Sequence, residues 1–167
     1  MCIRDSIKGG VIAQIGVKDG RITEALYAGD SFLVQALDRD SKKVEAARKA
    51  LLSRGIYGPV SVLPLRYDYL PYVDNFVNLI VVVDDEGISR QEIMRVLAPG
   101  GVAVIEEEMI RKPFPPGMDE WTHYLHDPTN NAVSFDKYVL PPKHLKWIGS
   151  PRYSRHHDHM SSASAMV

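Results

Sequence analysis

The segment "VIAQIGVKDGRITEAL", Val11 to Leu26, decides how the first half of the chain is interpreted. It begins with an apolar run, passes through a turn that contains Gly16 and Gly20, and continues into a helix-like pattern. Glycine in such a turn lets the backbone bend sharply and approach a ligand closely. The layout is typical of a nucleotide-binding turn between a strand and a helix, although Lys18 lies between the two glycines.

Composition excludes several classes of function. The 167 residues are 45% hydrophobic and 25% charged, which suits one domain with a core, or one domain and a piece of another. The net charge of -1 gives no electrostatic reason to expect a nucleic acid or an anionic membrane as partner. The longest apolar run, "LIVVV" at residues 79–83, is far shorter than the ~18 residues of a membrane span and predicts a strand.

Both ends of the chain look unnatural. "MCIRDS", residues 1–6, lacks the basic start and apolar run of a signal peptide and resembles an artefactual lead-in. Without Cys2 no cysteine remains for a disulfide, a thiolate metal site or a nucleophile. The final "SSASAMV" has no polar tail, which predicts a fragment of a longer protein. The fragment alone indicates a cytoplasmic location, and a periplasmic or exported location stays open for the full-length protein.

Short apolar runs alternate with helical patterns from Gly10 onward. Runs rich in Val and Ile that are bounded by turn residues are typical of buried strands. The predicted strands are GVIAQI (10–15), FLVQALD (32–38), PVSVL (59–63), NLIVVV (78–83) and GGVAVI (100–105).

Two helical patterns are the clearest. Between residues 40 and 55, Val44, Ala47 and Leu51 fall on one helical face, and "SRQEIMRVL", 89–97, opens with a Ser-to-Glu capping box. Strands connected through helices pair in parallel and are covered on both faces. The sequence therefore predicts an α/β, Rossmann-like fold with a largely parallel sheet of five strands and helices on both faces.

The composition changes after the last predicted strand. "RKPFPPG" interrupts any regular structure, and the remainder carries both Trp and all six His with little periodicity. We predict an α/β domain over 7–108, a Pro-rich linker over 109–120, and an incomplete second unit over 121–167.

Four motifs of the α/β portion carry a family resemblance. "IGVKDGRITEAL", "LDRDSKKVEAARKAL", "LPYVDNFVNLIVV" and "MRVLAPGGVAVI" resemble class I S-adenosylmethionine-dependent methyltransferases in order and spacing, over residues 9–107. The most specific is the last, in which a helix ends at Leu97 and a Pro-Gly-Gly turn leads into the fifth strand. The resemblance implies S-adenosylmethionine as cofactor and a small molecule as methyl acceptor.

The resemblance also implies the residues of the cofactor site. Gly16, Asp19 and Gly20 form the loop around the methionine part of the cofactor. Asp38, at the end of the second strand, is placed to accept the ribose hydroxyls. Its alternative role is that of a charge that stabilises a helix N-terminus. Asp68 is the candidate for the adenine amino group, with an ordinary surface turn as the alternative.

The loop departs from the family pattern at two positions. Gln14 replaces an acidic residue, and Lys18 replaces a glycine. Lysine resists a positive φ, fills space that glycine leaves open, and brings a like charge toward the sulfonium. We therefore predict weakened cofactor affinity. A degenerate methyltransferase fold that serves as a structural or binding module is the alternative function.

Candidate catalytic residues follow the fourth strand. "DDEG" places Asp84 and Asp85 where class I enzymes put groups that align or deprotonate the acceptor. A solvated acidic loop is the alternative.

The C-terminal portion carries a second resemblance. The stretch "MDEWTHYLHDPTNNAVSFDKYVLPPKHLKWIGSPRYSRHHDHMSSASAMV", residues 118–167, resembles the entry segment of pyrroloquinoline-quinone-type β-propellers. The whole chain is similar to planctomycete-like bacterial proteins in which a methyltransferase-like domain precedes such a propeller. This resemblance implies intramolecular contact with a propeller domain that the fragment lacks.

"RHHDHM", residues 155–160, suggests a metal site. Adjacent side chains of an extended segment point to opposite faces, so His157 converges with His159, or His156 with Asp158. A third ligand would come from elsewhere, and the candidates are His123 and His126. The alternative is a polar loop that packs against propeller blades.

Overall fold

The computed structural model describes residues 7–18, 20–106 and 108–138. Contacts divide the chain into two compact units, Met1–Pro113 and Phe114–Val167. The predicted loop residue Asp19 and the predicted metal ligands His156, His157 and His159 lie outside the described residues. Among the described residues, no helix has the length and apolarity required to cross a membrane.

The first unit alternates strands and helices as predicted. In chain order its elements are β1 (Gly10–Ile15), α1 (Arg21–Leu26), β2 (Phe32–Asp38), α2 (Ser41–Ser53), β3 (Val60–Pro64), β4 (Val77–Val82), α3 (Arg90–Val96), β5 (Leu97–Ile105) and β6 (Glu108–Arg111). The prediction of a largely parallel sheet with helices is confirmed.

The six strands form one sheet in the order β3-β2-β1-β4-β5-β6. The first five are parallel, and β6 pairs antiparallel with β5. The chain moves outward from β1 in one direction through β2 and β3, and in the other through β4 and β5. A crevice outside the carboxyl ends of the strands at such a reversal is where ligands bind in open α/β sheets.

Both faces of the sheet are buried, because successive side chains of a strand point to opposite sides. On one face, Ala13 and Ile15 of β1 pack with Ile80 of β4 and with Ile93 and Val96 of α3. On the other face, β-strand side chains pack against the buried residues of α2, which are Val44, Ala47 and Leu51. The apolar face predicted for α2 is therefore the face that it buries.

The sixth strand was not predicted from sequence. The sequence predicts the end of the α/β domain at residue 108 and a linker from 109, whereas the sheet continues to Arg111. "EMIR" is short, largely exposed and charged, as edge strands often are, so it lacks the apolar pattern of the buried strands.

Lys112 fastens this strand to the end of α3. Its ammonium donates to the carbonyl oxygens of Met94 at 2.6 Å and Leu97 at 2.7 Å, and to Oδ1 of Asn75 at 2.6 Å. The last carbonyls of a helix have no partner within the helix, and a lysine ammonium satisfies them well. Burial lowers the pKa of Lys112.

The second unit is described only over residues 114–138. This stretch contains turns and an isolated bridge between His123 and His126, without a helix or a strand. The carboxylate of Asp119 organises it by accepting from the amide of Phe135 at 2.7 Å and interacting with Nε2 of His126 at 2.7 Å. These hydrogen bonds lower the pKa of Asp119, and the bond from the Phe135 amide has the largest effect. The prediction that a propeller begins in this unit gains no support from the described residues.

The loop between β3 and β4 is held against α3 by two side chains. Glu92 accepts from the amide of Leu70 at 2.7 Å and from Nη2 of Arg95 at 2.6 Å. Arg95 also donates to the carbonyl of Tyr72 at 3.0 Å and to Asp74 at 2.5 Å. The bond from Arg95 is the main reason that the pKa of Glu92 is lowered.

We expect Arg95→Ala to lower the free energy of unfolding by about 1 to 2 kcal/mol, because it leaves partly buried acceptors without a donor. Arg90→Ala is the matched control, since within the described part of the chain Arg90 forms an ion pair with the exposed Glu108, and such pairs contribute at most about 1 kcal/mol. Urea unfolding of the full chain measures both losses. Equal losses would contradict a role for Arg95 in holding the loop.

Candidate cofactor site

Gly16 follows β1 directly and has a left-handed backbone conformation that favours glycine. Its φ is 81°, and its amide donates to the carbonyl of Leu37 at 2.8 Å. A Cβ on Gly16 would lie 2.5 Å from Cβ and 2.7 Å from the backbone nitrogen of Asp84. The turn after β1 therefore packs directly on the chain that follows β4.

Gly20 closes the same turn and begins α1. Its φ is 77°, in the left-handed region. Gly20 is the N-cap of α1, and because it has no side chain it makes no side-chain capping hydrogen bond. A Cβ there would meet Ala47 only at ordinary contact distance, 3.7 Å. Gly20 is therefore favoured by its positive φ alone. At Gly16 a larger residue would also clash with Asp84.

Lys18 does not have the backbone conformation that the sequence suggested. Among the described non-glycine residues, positive φ occurs at Asn75, Glu86, Glu106, His126 and Asn130, and not at Lys18. The residue is exposed. In this conformation lysine therefore meets no unfavourable φ, and the weakened cofactor affinity stays a prediction that rests here on the charge of Lys18 and the space that it fills.

Gln14 lies beneath the turn and is 1% exposed. Its Nε2 donates to the carbonyl of Gly16 at 2.8 Å, whereas its Oε1 has no hydrogen-bond partner among the described residues. The same holds for the hydroxyl of Thr23 in α1. Buried polar atoms without a partner are uncommon. The hydrogen bond from Gln14 thus holds the carbonyl of Gly16 in the turn. The sequence around Gln14 does not indicate this role.

Asp38 lies where the sequence placed it, at the end of β2, but its carboxylate is fully buried. Oδ2 accepts from the amide of Val17 at 2.6 Å, and Oδ1 accepts from the amide of Asp40 at 2.8 Å. The ammonium of Lys43 lies 3.8 Å from Oδ2. In this conformation Asp38 joins the turn after β1 to the start of α2, and ribose hydroxyls have no access to it.

Asp68 is exposed and belongs to an ion pair that the sequence did not indicate. Its Oδ1 accepts from Nη2 of Arg39 at 2.5 Å. Arg39 also donates through Nε to the carbonyl of Glu86 at 2.8 Å, and through Nη2 to that of Tyr67 at 3.3 Å. Burial raises the pKa of Glu86, and the nearby charge of Asp38 raises it further.

A cavity of about 500 Å³ opens at the carboxyl ends of β4 and β5. This volume is within the range of sites that bind small molecules. Its polar lining comes from Asp84, Asp85, Arg90 and Glu106, and its apolar lining comes from Val82, Val83, Ile88, Ile93 and Ile105. The candidate catalytic residues Asp84 and Asp85 therefore line one cavity, and Asp84 also packs against Gly16 in the turn after β1.

The described residues contain no group of three or more potential metal ligands. His123 bonds through Nδ1 to the hydroxyl of Thr122, and His126 pairs with Asp119. The remaining histidines proposed for the site lie outside the described residues, so the metal site stays a prediction.

No family model and no curated protein sequence matches the chain. Solved structures do match it. A protein of Methanococcus maripaludis described as an S-adenosylmethionine-dependent methyltransferase has a TM-score of 0.52 and 25% identity, over 58% of this chain and 47% of that chain. The [4+2]-cyclase SpnF has a TM-score of 0.52 and 20% identity, over 60% and 40%.

A third match is geranyl diphosphate C-methyltransferase from Streptomyces coelicolor, solved with Mg²⁺, geranyl diphosphate and S-adenosylhomocysteine. Its TM-score is 0.51 and its identity 14%, over 60% of this chain and 41% of that chain. The chain thus spans less than half the length of each of these proteins. It carries the Rossmann-like fold of S-adenosylmethionine-dependent methyltransferases.

We expect Gly16→Ala to destabilise the α/β unit by more than about 2 kcal/mol, because the added methyl group meets backbone atoms as well as an unfavourable φ. Gly55→Ala is the matched control. Its φ of 71° is similar, but nothing lies within 4 Å of the added methyl, so only about 1 kcal/mol is expected. Urea unfolding compares the two. Equal losses would show that the turn does not pack on Asp84 in solution.

Proposed function

We propose that the chain binds S-adenosylmethionine at the carboxyl edge of β1, β2 and β4 and transfers its methyl group to a small molecule. The observation that carries this proposal is the left-handed turn at Gly16, which lies beside the acidic end of β2 in a methyltransferase fold. The structural neighbour solved with S-adenosylhomocysteine adds support for this ligand class.

Gly16 and Gly20 follow β1, Asp38 ends β2 and Asp68 follows β3 at the sheet edge that we propose for the cofactor. Gly16, Asp19 and Gly20 would hold the methionine part, Asp38 the ribose, and Asp68 the adenine. The orphaned Oε1 of Gln14, below the turn, offers a buried acceptor. Because the carboxylate of Asp38 is buried and accepts from two backbone amides, a local rearrangement must expose it before a ribose could bind. When bound, S-adenosylmethionine supplies a methyl group that passes from its sulfur to a nucleophilic atom of the acceptor, leaving S-adenosylhomocysteine.

The acceptor would occupy the cavity at the ends of β4 and β5. The isoleucine and valine side chains of this cavity suit an apolar part of the acceptor. Asp84 is the better placed of the two candidate bases, because it touches both the cofactor turn and the cavity. The carboxylate of Asp85 is partly engaged, since it accepts from the amide of Gly87 at 3.0 Å. Either could take the proton that an acceptor loses.

A structural or binding module is the second candidate function. The complete burial of Asp38 favours it, because the carboxylate stabilises the fold without any ligand. Fold does not determine reaction, and one neighbour of this chain is named a cyclase. Contact with a propeller domain in a longer, planctomycete-like bacterial protein belongs to both candidates and remains a prediction.

Calorimetric titration of the full chain with S-adenosylhomocysteine tests the proposal. We expect saturable binding and a rise in melting temperature with ligand concentration, because a ligand that binds only the folded state stabilises it. NADH serves as the control ligand and should produce neither effect. If S-adenosylhomocysteine gives no heat and no thermal shift, the module function is favoured.

Lys18→Met tests the charge argument separately. It keeps most of the side-chain length and removes the ammonium, so we expect affinity for S-adenosylmethionine to rise about two- to threefold. Affinity for S-adenosylhomocysteine should stay constant, because that ligand has no sulfonium charge. Lys49→Met, at an exposed position of α2, is the control. An unchanged affinity for S-adenosylmethionine would show that the charge of Lys18 does not weaken cofactor binding.

A further inference from the structure

Arg39 crosses the edge of the sheet at the proposed cofactor site. It follows β2 directly, whereas Glu86 follows β4, and β1 lies between those strands. The bond from Nε of Arg39 to the carbonyl of Glu86, 2.8 Å, therefore spans the carboxyl end of β1. The backbone amide of Arg39 adds a longer contact of 3.4 Å to Oε2 of Glu86.

The same guanidinium reaches the loop after β3. It donates to Oδ1 of Asp68 at 2.5 Å and to the carbonyl of Tyr67 at 3.3 Å. One side chain thus connects the chain that follows β2 to the loops that follow β3 and β4. These loops flank the path that runs from Gly16 past Asp38 to Asp68.

Three of the residues predicted for the cofactor are already engaged within the protein. Gly16 packs on Asp84, Asp38 accepts two backbone amides, and Asp68 pairs with Arg39. The Asp38 carboxylate is 0% exposed. The conformation is therefore a closed one, and a ligand on this path must displace some of these contacts.

The contacts of Arg39 are the ones that can be displaced at low cost. The side chain of Asp68 is 88% exposed and that of Arg39 36%. Exposed ion pairs contribute little to stability, so the closed arrangement is favoured only modestly. Glu86 has a φ of 50°, which is unusual for a residue other than glycine, and it lies near the charge of Asp38. Repulsion between the carboxylates of Glu86 and Asp38 disfavours the closed arrangement.

We propose that Arg39 gates the cofactor site, and that it must release Asp68 and Glu86 before S-adenosylmethionine can reach Asp38. This proposal rests on the proposed function. It makes Arg39 a determinant of cofactor affinity, because apparent affinity falls with the fraction of molecules that are closed.

Arg39→Ala tests the gate through binding. We expect it to bind S-adenosylhomocysteine about fivefold more tightly than the wild type in calorimetry. Arg54→Ala is the matched control, since it removes another exposed arginine, paired with Glu24, and should leave affinity unchanged. Raising the salt from about 0.05 to about 0.5 M should tighten binding by the wild type and not by Arg39→Ala, because salt screens the ion pair with Asp68.

Amide hydrogen exchange tests the gate without a ligand. The amides of Val17 and Asp40 donate to Asp38, and opening the gate exposes them. We expect both to exchange faster in Arg39→Ala than in the wild type or in Arg54→Ala. Arg39→Gln, which keeps a polar side chain, is the second variant should the alanine variant fold poorly.

The outcomes separate the two proposals. Faster exchange and tighter binding in Arg39→Ala support both. Faster exchange without binding by any variant supports the closing role of Arg39 and overturns the proposed cofactor. Binding by the wild type that Arg39→Ala leaves unchanged or weakens, with unchanged exchange, overturns the gate and leaves the proposed function standing.

Discussion

The buried carboxylate of Asp38 is the interaction on which the sheet edge depends. Placing a carboxylate in the interior is costly unless hydrogen bonds replace its water. Here the amides of Val17 and Asp40 do so at 2.6 and 2.8 Å, and Lys43 approaches one oxygen. Hydrogen bonds to a charged acceptor are stronger than those between neutral groups. The turn after β1 and the entry to α2 are thereby fixed to each other.

The proposed function would give Asp38 two competing roles. It would bind the ribose of the cofactor, yet in this conformation its carboxylate accepts from two backbone amides. On the other side of the turn after β1, Gly16 packs directly against Asp84 in the chain after β4. Catalytic competence, in an enzyme built this way, would depend on the population of an open conformation as much as on the identity of the site residues.

The sequence predicted the five parallel strands because each is a run of Val, Ile or Leu between turn residues, and it predicted α3 from the capping box at Ser89. It did not predict β6, whose side chains are mostly exposed. It also missed the partners of Arg39, because Asp68 and Glu86 are 29 and 47 positions away in the chain and only the fold brings them near. Local sequence gives the position of Asp38, but its burial depends on an amide 21 residues earlier.

Lys112 has a practical consequence for dividing the protein. A chain cut at residue 108, where composition suggests a boundary, would lose β6 and the ammonium that caps α3. The carbonyls of Met94 and Leu97 would then need water, and the edge of β5 would present unpaired backbone groups to other molecules. Such a truncated protein would be prone to associate through that edge, and its aggregation could be mistaken for a native oligomer. A truncated protein that keeps all the contacts of β6 and α3 in the α/β unit therefore has to include Lys112.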